Sequence, residues 1–379
     1  MKKSIFNLIN LCLCNILISQ SYQIGHKQIT FVDATRSNRS IQTEVYYPAN
    51  TSGDNVPMAS GQFPVLIFGH GFVMSWDAYQ NFWDTLVPMG YIMAFPRTEG
   101  SISPNHNEFG KDLKFLNEQF KQENNNPSSF FYQKILPGSA IMGHSMGGGA
   151  SFLAADSYTN FTTLINFAAA NTNPSSINAA TRVTRPLLMF IGQNDGVAPP
   201  SNHQIPMFDS CASACKTRVT ILGGGHCYFA NNNFNCSFGE GTTSPQPTIT
   251  RAEQHRRMFH ILKPYLNYML KGSLADSVIY FSRLQNNSEM TYVRQCNVVT
   301  EINNFQFATN EYKVYPNPFK DYIEVDVVDE VNIYNVLGEK VFNFKDENKK
   351  EKIFIDTSNW PNGLYIVECD GIRKKLVKE

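Results

Sequence analysis

The segment Gly143-His144-Ser145-Met146-Gly147, with two further glycines directly after it, carries the clearest chemistry of this sequence. It follows the apolar run Ala140 to Met142 and precedes a segment rich in small residues that ends at Ala155. A Gly-x-Ser-x-Gly motif presents a nucleophilic serine at such a strand–turn–helix junction. We therefore predict that Ser145 is a nucleophile, and we expect the His144 side chain to pack beneath it.

A serine hydroxyl needs a base to take its proton and an acid to orient that base. Asp195 follows the apolar run Leu187 to Ile191, and His226 follows the run Val219 to Leu222 and three glycines. Open α/β sheets place functional groups beyond the carboxyl ends of their strands. We predict His226 as the base and Asp195 as its orienting acid, rather than a loop histidine and a turn aspartate. This chemistry requires no metal or organic cofactor.

An oxyanion hole would complete such a site, with one N–H after the nucleophile and one from the loop after an earlier strand. Met146 supplies the first. The segment Phe68-Gly69-His70-Gly71-Phe72 follows the apolar run Pro64 to Phe68 and supplies the second, which we assign to Phe72. The alternative is an ordinary glycine-rich turn.

The elements that must position these residues alternate along the chain. Apolar runs of strand length are separated by amphipathic stretches near Ser75–Val87, Glu108–Glu123 and Met146–Ala155, and a last one spans Thr250–Leu270. Buried parallel strands covered by helices have this pattern. The fold class is therefore α/β, with a doubly wound, mostly parallel sheet.

Four segments divide the chain. Residues 1–21 have the basic start, short apolar run and small residues of a signal peptide, which we prefer to a lipidated Cys14. Residues 22–272 form the α/β domain. Helical periodicity is lost after Gly272, so we interpret 273–313 as an extension and linker. Residues 314–379 show short alternating strands separated by turns, which predicts a small all-β sandwich.

Cysteines are concentrated beside the proposed histidine. The chain has eight, of which Cys12 and Cys14 lie in the signal peptide. In an exported protein the remainder favour disulfides. The preferred pairing of neighbours is Cys211 with Cys215 and Cys227 with Cys236, although other connectivities and a four-thiolate zinc site stay open.

The composition of the chain limits the classes of partner that it can bind. The chain has 379 residues, 42% of them hydrophobic, which is enough for a sizeable core. Its formal net charge is zero, which argues against a nucleic-acid partner. We expect a monomer.

The motifs from Ile41 to Gly272 together resemble the cutinase-like and polyester (PET) hydrolase branch of the α/β-hydrolases. The resemblance implies that Phe72 is also one wall of an aromatic clamp on the substrate. The family usually has a Trp facing that wall, but the corresponding loop here reads Ala168-Ala169-Ala170-Asn171-Thr172-Asn173-Pro174. We expect Asn171 and Phe229 to contribute to substrate binding instead.

The last segment resembles the C-terminal sorting domain of the type IX secretion system of Bacteroidetes. The matching residues are Tyr315-Pro316-Asn317-Pro318, Ile333-Tyr334-Asn335-Val336-Leu337-Gly338, Asn362-Gly363-Leu364-Tyr365 and the basic pair Lys374-Lys375. The resemblance implies export through the periplasm of a Gram-negative bacterium, with the type IX machinery as a partner, to the cell surface or beyond.

These features predict a secreted serine carboxylic-ester hydrolase that acts through an acyl-enzyme on hydrophobic esters or polyesters. One alternative is an esterase or lipase for small esters without polymer activity. Another, from a different class, is a surface adhesin on an inactive hydrolase scaffold.

Overall fold

A computed structural model of the chain describes residues 21–296, 312–326, 330–335, 338–345, 352–369 and 372–379. The predicted signal peptide, apart from Ser21, and residues 297–311 of the predicted extension and linker lie outside these residues. The chain divides into two compact units, residues 1–297 and 298–379.

Ten strands of the first unit form one sheet in the order β10-β9-β8-β7-β6-β4-β5-β2-β1-β3. The central strands from β5 to β9 run parallel, whereas β2 and β10 join this block antiparallel. This confirms the predicted mostly parallel sheet. The strands are β1 (Gln23–Asp33), β2 (Arg39–Ala49), β3 (Gly53–Asp54), β4 (Phe63–Gly69), β5 (Ile92–Pro96), β6 (Ile135–His144), β7 (Thr163–Phe167), β8 (Leu187–Gly192), β9 (Cys215–Ile221) and β10 (Met290–Cys296).

Helices cover both faces of this sheet. Alternate residues of β4 enter two different cores, because successive side chains of a strand point to opposite faces. Val65 packs with Leu113, whereas Leu66 packs with Phe82 and Leu262. The fold is thus doubly wound. The helices are α1 (Gln80–Leu86), α2 (His106–Asn125), α3 (Met146–Ala155), α4 (Ser176–Ala180), α5 (Gln204–Ser210), α6 (Phe234–Gly241), α7 (Arg251–Lys271) and α8 (Leu274–Gln285).

Capping sets the limits of the long helix α7. The Thr250 side chain accepts a hydrogen bond from the Glu253 N–H at 3.2 Å, and the helix ends at Gly272 with φ of 68°. Both ends match the predicted signals, since a hydroxyl caps the first turn and glycine adopts the left-handed conformation without strain.

The predicted loss of helical structure after Gly272 was wrong. Ser273 caps α8, and β10 then pairs antiparallel with β9 at the edge of the sheet. The segment does carry apolar residues at helical spacing, at Tyr280, Phe281 and Leu284, of which Tyr280 and Leu284 are buried, and the sequence analysis missed this pattern.

The second unit is all-β, as predicted. One antiparallel sheet has the order β11-β12-β15 and another the order β14-β13-β16-β17. Side chains of both sheets, among them Ile323, Ile355, Ile333 and Val367, share one core. The strands are β11 (Val314–Tyr315), β12 (Tyr322–Asp326), β13 (Glu330–Asn335), β14 (Lys340–Lys345), β15 (Lys352–Asp356), β16 (Gly363–Cys369) and β17 (Ile372–Lys378).

Within the described ranges, no helix combines the length and apolarity that a membrane crossing requires.

Candidate active site

Ser145 lies in the sharp turn between β6 and α3, where its backbone adopts φ 54° and ψ −120°. The turn is so tight that only glycine fits beside it. A Cβ on Gly143 would lie 2.2 Å from the Gly147 carbonyl oxygen, and a Cβ on Gly147 would lie 2.1 Å from that of Gly69. The glycines of the motif are therefore required by close backbone approach.

The structure brings the three predicted catalytic side chains into one line. The Ser145 hydroxyl lies 2.9 Å from His226 Nε2, and His226 Nδ1 lies 2.8 Å from Asp195 Oδ2. Asp195 and His226 are each only 1% exposed, whereas Ser145 is half-buried. The serine thus meets solvent while its two partners are shielded from it.

The Asp195 carboxylate is fixed from its other side. Its Oδ1 accepts hydrogen bonds from the N–H groups of Val197 and Ala198, at 3.1 and 2.7 Å. Both oxygens of the carboxylate are therefore engaged, which leaves Oδ2 directed at His226.

Gln254 on α7 clamps the loop that carries His226. Its Oε1 accepts from the Gly225 N–H and its Nε2 donates to the Gly225 carbonyl, both at 2.9 Å. The neighbouring Gly224 carbonyl accepts from the Asn194 N–H at 2.7 Å. The loops after β8 and β9 are thus joined one residue before Asp195 and two residues before His226.

The predicted oxyanion donors lie on the loops after β4 and β6. Met146 is the first residue of α3, so its N–H has no acceptor within the helix. Phe72 lies in a turn closed by the Met74 N–H and the Gly71 carbonyl at 3.1 Å, and its side chain is 47% exposed. Both positions are compatible with the predicted role.

Buried His144 links this turn to the catalytic loop. Its Nε2 donates to the His226 carbonyl at 3.0 Å, which leaves Nδ1 to accept from the Tyr79 hydroxyl at 2.9 Å. The Tyr79 hydroxyl in turn accepts from the Gly71 N–H at 2.8 Å. Burial, together with the neighbouring His226 and Arg251, holds the pKa of His144 well below its usual range. His144 therefore stays neutral and bridges the two loops, as its predicted position beneath the site allows.

A second buried carboxyl group lies beside the catalytic loop. Glu240, on α6, accepts a hydrogen bond from the Cys227 N–H at 3.1 Å. Burial raises the pKa of Glu240, while the Cys227 N–H and His226 oppose that rise. Arg251 donates to the Cys227 carbonyl and, at 2.7 Å, to the Ala230 carbonyl. This pair of side chains holds the backbone immediately after His226.

Backbone strain occurs beyond the carboxyl ends of three central strands. Val73, Ser145 and Ala168 follow β4, β6 and β7 and have φ values of 49°, 54° and 44°. Non-glycine residues in this region are disfavoured, most of all a β-branched one, and such strain typically marks functional sites.

The structure treats the two remaining substrate-binding predictions differently. The prediction for Phe229 was wrong, because its ring is fully buried and packs against Phe167 and His144. Asn171 is exposed, but its side-chain oxygen accepts from the Ser175 and Ser176 hydroxyls, each at 3.1 Å, at the start of α4. A contact between Asn171 and substrate stays a prediction.

One of the two preferred disulfides was also wrong. Cys227 pairs with Cys236 as predicted, but Cys215 pairs with Cys296. The register of β9 and β10 places Cys296 opposite Cys215, and the sequence did not predict β10. Cys211 is a buried free thiol, and burial raises its pKa.

The disulfides remove three of the four thiolates that the alternative zinc site required. The described part of the chain contains no group of three or more His, Cys, Asp or Glu side chains arranged to hold a metal.

Four supporting residues escaped the sequence analysis: Tyr79, Gln254, Glu240 and Arg251. Gln254 did leave a signal, since it shares the buried stripe of α7 with Met258, Ile261 and Tyr265. A buried polar side chain in such a stripe requires a partner. Tyr79 lies within the amphipathic stretch Ser75–Val87, where a buried tyrosine resembles an ordinary core residue, and Glu240 lies in the short helix α6.

Two family models match this chain. The model described as a secretion system C-terminal sorting domain matches residues 313–379. This match confirms the predicted type IX tail, which directs the protein to the cell surface or the extracellular space. The model described as PET hydrolase-like matches residues 25–242, more than half of the chain, including every predicted catalytic and oxyanion position. The chain therefore belongs to the PET hydrolase-like family.

Proposed function

We propose that this secreted protein is a serine carboxylic-ester hydrolase that acts through an acyl-enzyme on hydrophobic esters or polyesters. The observation that carries the proposal is the line of Ser145, His226 and Asp195, joined at 2.9 and 2.8 Å beside a strained turn. Membership of the PET hydrolase-like family supports the same reaction class.

Acylation begins when the Ser145 Oγ attacks the ester carbonyl carbon while its proton passes to His226 Nε2. The carbonyl oxygen becomes an oxyanion that accepts hydrogen bonds from the Phe72 and Met146 N–H groups. Asp195 stabilises the imidazolium and holds its Nδ1 proton. The C–O bond to the alcohol then breaks, and His226 returns its proton to the departing oxygen.

Deacylation repeats these steps with water. His226 Nε2 takes a proton from the water, whose oxygen attacks the acyl carbon. The bond to Ser145 Oγ breaks, His226 returns the proton to that oxygen, and the carboxylic acid leaves. The bonds from Val197 and Ala198 to Asp195 support this cycle, because they hold the carboxylate while the imidazole changes charge.

A hydrophobic substrate is favoured by two observations. The protein is exported, and the exposed ring of Phe72 adjoins the proposed oxyanion donor. Exposed aromatic rings beside a nucleophile suit an apolar acyl or alcohol group.

A small-ester hydrolase without polymer activity is the second candidate. The loop that carries a clamp Trp in similar proteins contains Ala168, Ala169 and Ala170 here, and Phe229 is buried. Without an opposite wall, a bulky polymer chain would be held weakly.

The test uses purified protein without the tail, beside a Ser145→Ala control, on an amorphous aromatic polyester film and on a short-chain nitrophenyl ester. We expect the wild type to release terephthalate-type products and the control to release none. Brisk hydrolysis of the nitrophenyl ester without product from the film would select the second candidate. Equal activity of the Ser145→Ala variant would refute the nucleophile assignment.

A further inference from the structure

Helix α6 presents two aromatic rings to solvent. Phe234 is 81% exposed and Phe238 is 66% exposed, and their rings stack with centroids 6.3 Å apart. The two residues are four positions apart and therefore lie on one helix face. Exposing two stacked phenylalanines is unfavourable in water, and such patches mark binding surfaces.

This helix is fastened to both loops of the proposed active site. The Cys227–Cys236 disulfide joins it to the residue after His226. The Asn235 side chain donates to the Val73 carbonyl at 3.0 Å, one residue after Phe72. Glu240 adds its bond to the Cys227 N–H.

Helix geometry relates the aromatic face to these attachments. With about 100° of rotation per residue, Cys236 and Glu240 share one side of α6, turned toward the His226 loop. Phe234 and Phe238 lie about 160° around the helix axis from these two residues, and Asn235 lies between the two sides, about 80° from the aromatic pair. The aromatic face therefore borders the side of α6 that contacts the oxyanion loop.

Charge limits what this face can bind. Within Phe234–Gly241 the only ionisable side chain is Glu240, which is buried against the Cys227 backbone. The exposed face thus offers two aromatic rings and no charge, which suits a neutral apolar chain rather than an ionic partner.

We propose that Phe234 and Phe238 form a substrate-binding surface for the apolar and aromatic units of a polyester chain whose ester bond lies at Ser145. The inference rests on the proposed function and extends it, because it supplies an aromatic surface on α6 where the loop after β7 has none.

The test compares a Phe234→Ser/Phe238→Ser variant with wild type on a soluble terephthalate diester and on nitrophenyl acetate. We expect kcat/KM for the terephthalate diester to fall by about fivefold or more, mainly through KM, because ring stacking is lost. Turnover of nitrophenyl acetate should stay within about twofold of wild type, since its small acyl group does not reach α6.

Leu274 and Val278 on α8 provide a matched control. They are 71% and 65% exposed and have the same spacing, so Leu274→Ser/Val278→Ser removes a similar apolar area elsewhere. This variant should resemble wild type on both esters.

Three results would overturn the inference. The ratio of the two kcat/KM values could stay unchanged, whether both values hold or both fall together, or the α8 control could show an equal effect. The third is a wild type that hydrolyses nitrophenyl acetate but not the terephthalate diester. The proposed function fails separately, if wild type hydrolyses neither ester or if Ser145→Ala hydrolyses both.

Discussion

His144 illustrates how one buried side chain can connect two parts of a catalytic site. Its Nε2–H is bound to the His226 carbonyl, and its Nδ1 accepts from Tyr79, which also holds the Gly71 N–H. A protonated imidazole could no longer accept the Tyr79 hydrogen bond at Nδ1, and its charge would be fully buried. Both effects favour the neutral form of His144.

This arrangement predicts a dependence of stability on pH. In the unfolded chain His144 takes up a proton near its ordinary pKa of about 6.5, whereas burial depresses its pKa in the folded protein. The unfolded state then binds more protons, so the free energy of unfolding decreases as the pH falls below about 6.5. The slope from this group is at most about 1.4 kcal/mol per pH unit.

Urea unfolding of wild type and His144→Gln between pH 7.5 and 5 measures this contribution. Gln can keep one donor and one acceptor but does not titrate, so its free energy of unfolding should decline less steeply. An identical slope for His144→Gln would show that His144 does not resist protonation.

The catalytic side chains could be predicted because each follows an apolar strand whose end position fixes where the side chain must lie. Ser145, Asp195 and His226 all have this context. Tyr79 and Glu240 could not, because no motif or strand end marks them, and only their contacts with His144 and the Cys227 N–H show what they do. Phe229 was misassigned for the same reason, since aromatic residues beside a site and beneath it look alike in sequence.

At the scale of elements, one disulfide lies beside the proposed catalytic histidine and the other joins two strands at the edge of the sheet. Cys227–Cys236 closes a separation of 9 residues and fastens α6 beside His226. Cys215–Cys296 closes a separation of 81 residues and joins the edge strand β10 to β9. Loop-closure entropy predicts about 2.6 kcal/mol of stabilisation from the first and about 4.5 kcal/mol from the second.

Replacing each pair by serine separates stability from activity. Cys215→Ser/Cys296→Ser should lower the thermal midpoint more and keep near-normal turnover of nitrophenyl esters. Cys227→Ser/Cys236→Ser should lower the midpoint less but reduce turnover severalfold, because the backbone after His226 loses its covalent tie to α6. The reverse pattern would contradict the role assigned to α6.

Most elements of the sheet were predictable from apolar runs, since each run from Pro64 to Leu222 lies mainly within a strand whose residues are mostly buried. The edge strand β10 was not. Its residues Thr291 to Gln295 are exposed, so β10 lacks the apolar run by which a buried strand is recognised in sequence. Pairing with β9 creates this strand, and the Cys215–Cys296 disulfide depends on that pairing.

At the scale of the whole molecule, catalysis and export are assigned to different units. The first unit contains both cores of the sheet and every proposed catalytic residue, and the second has a core of its own and matches the sorting domain. The hydrogen bonds of the triad, and those described above that support it, join residues of the first unit.

A truncation that ends near Asn310 should therefore keep full esterase activity and a similar thermal midpoint for the first unit. Expressed in a host with a type IX system, it should stay inside the cell envelope, whereas the full chain appears outside. Loss of activity on truncation would show that the tail contributes to catalysis, and continued secretion would refute its sorting role.

Covalent labelling by a fluorophosphonate, mapped by peptide mass spectrometry, tests the catalytic assignment most directly. Labelling requires a serine activated by its base, so the wild type should carry the phosphonyl group on Ser145. Ser145→Ala should not label, and His226→Ala should label at least about a hundredfold more slowly. No label on wild-type protein, as expected of an inactive adhesin, or a label on another residue would contradict the assignment of Ser145 as the nucleophile.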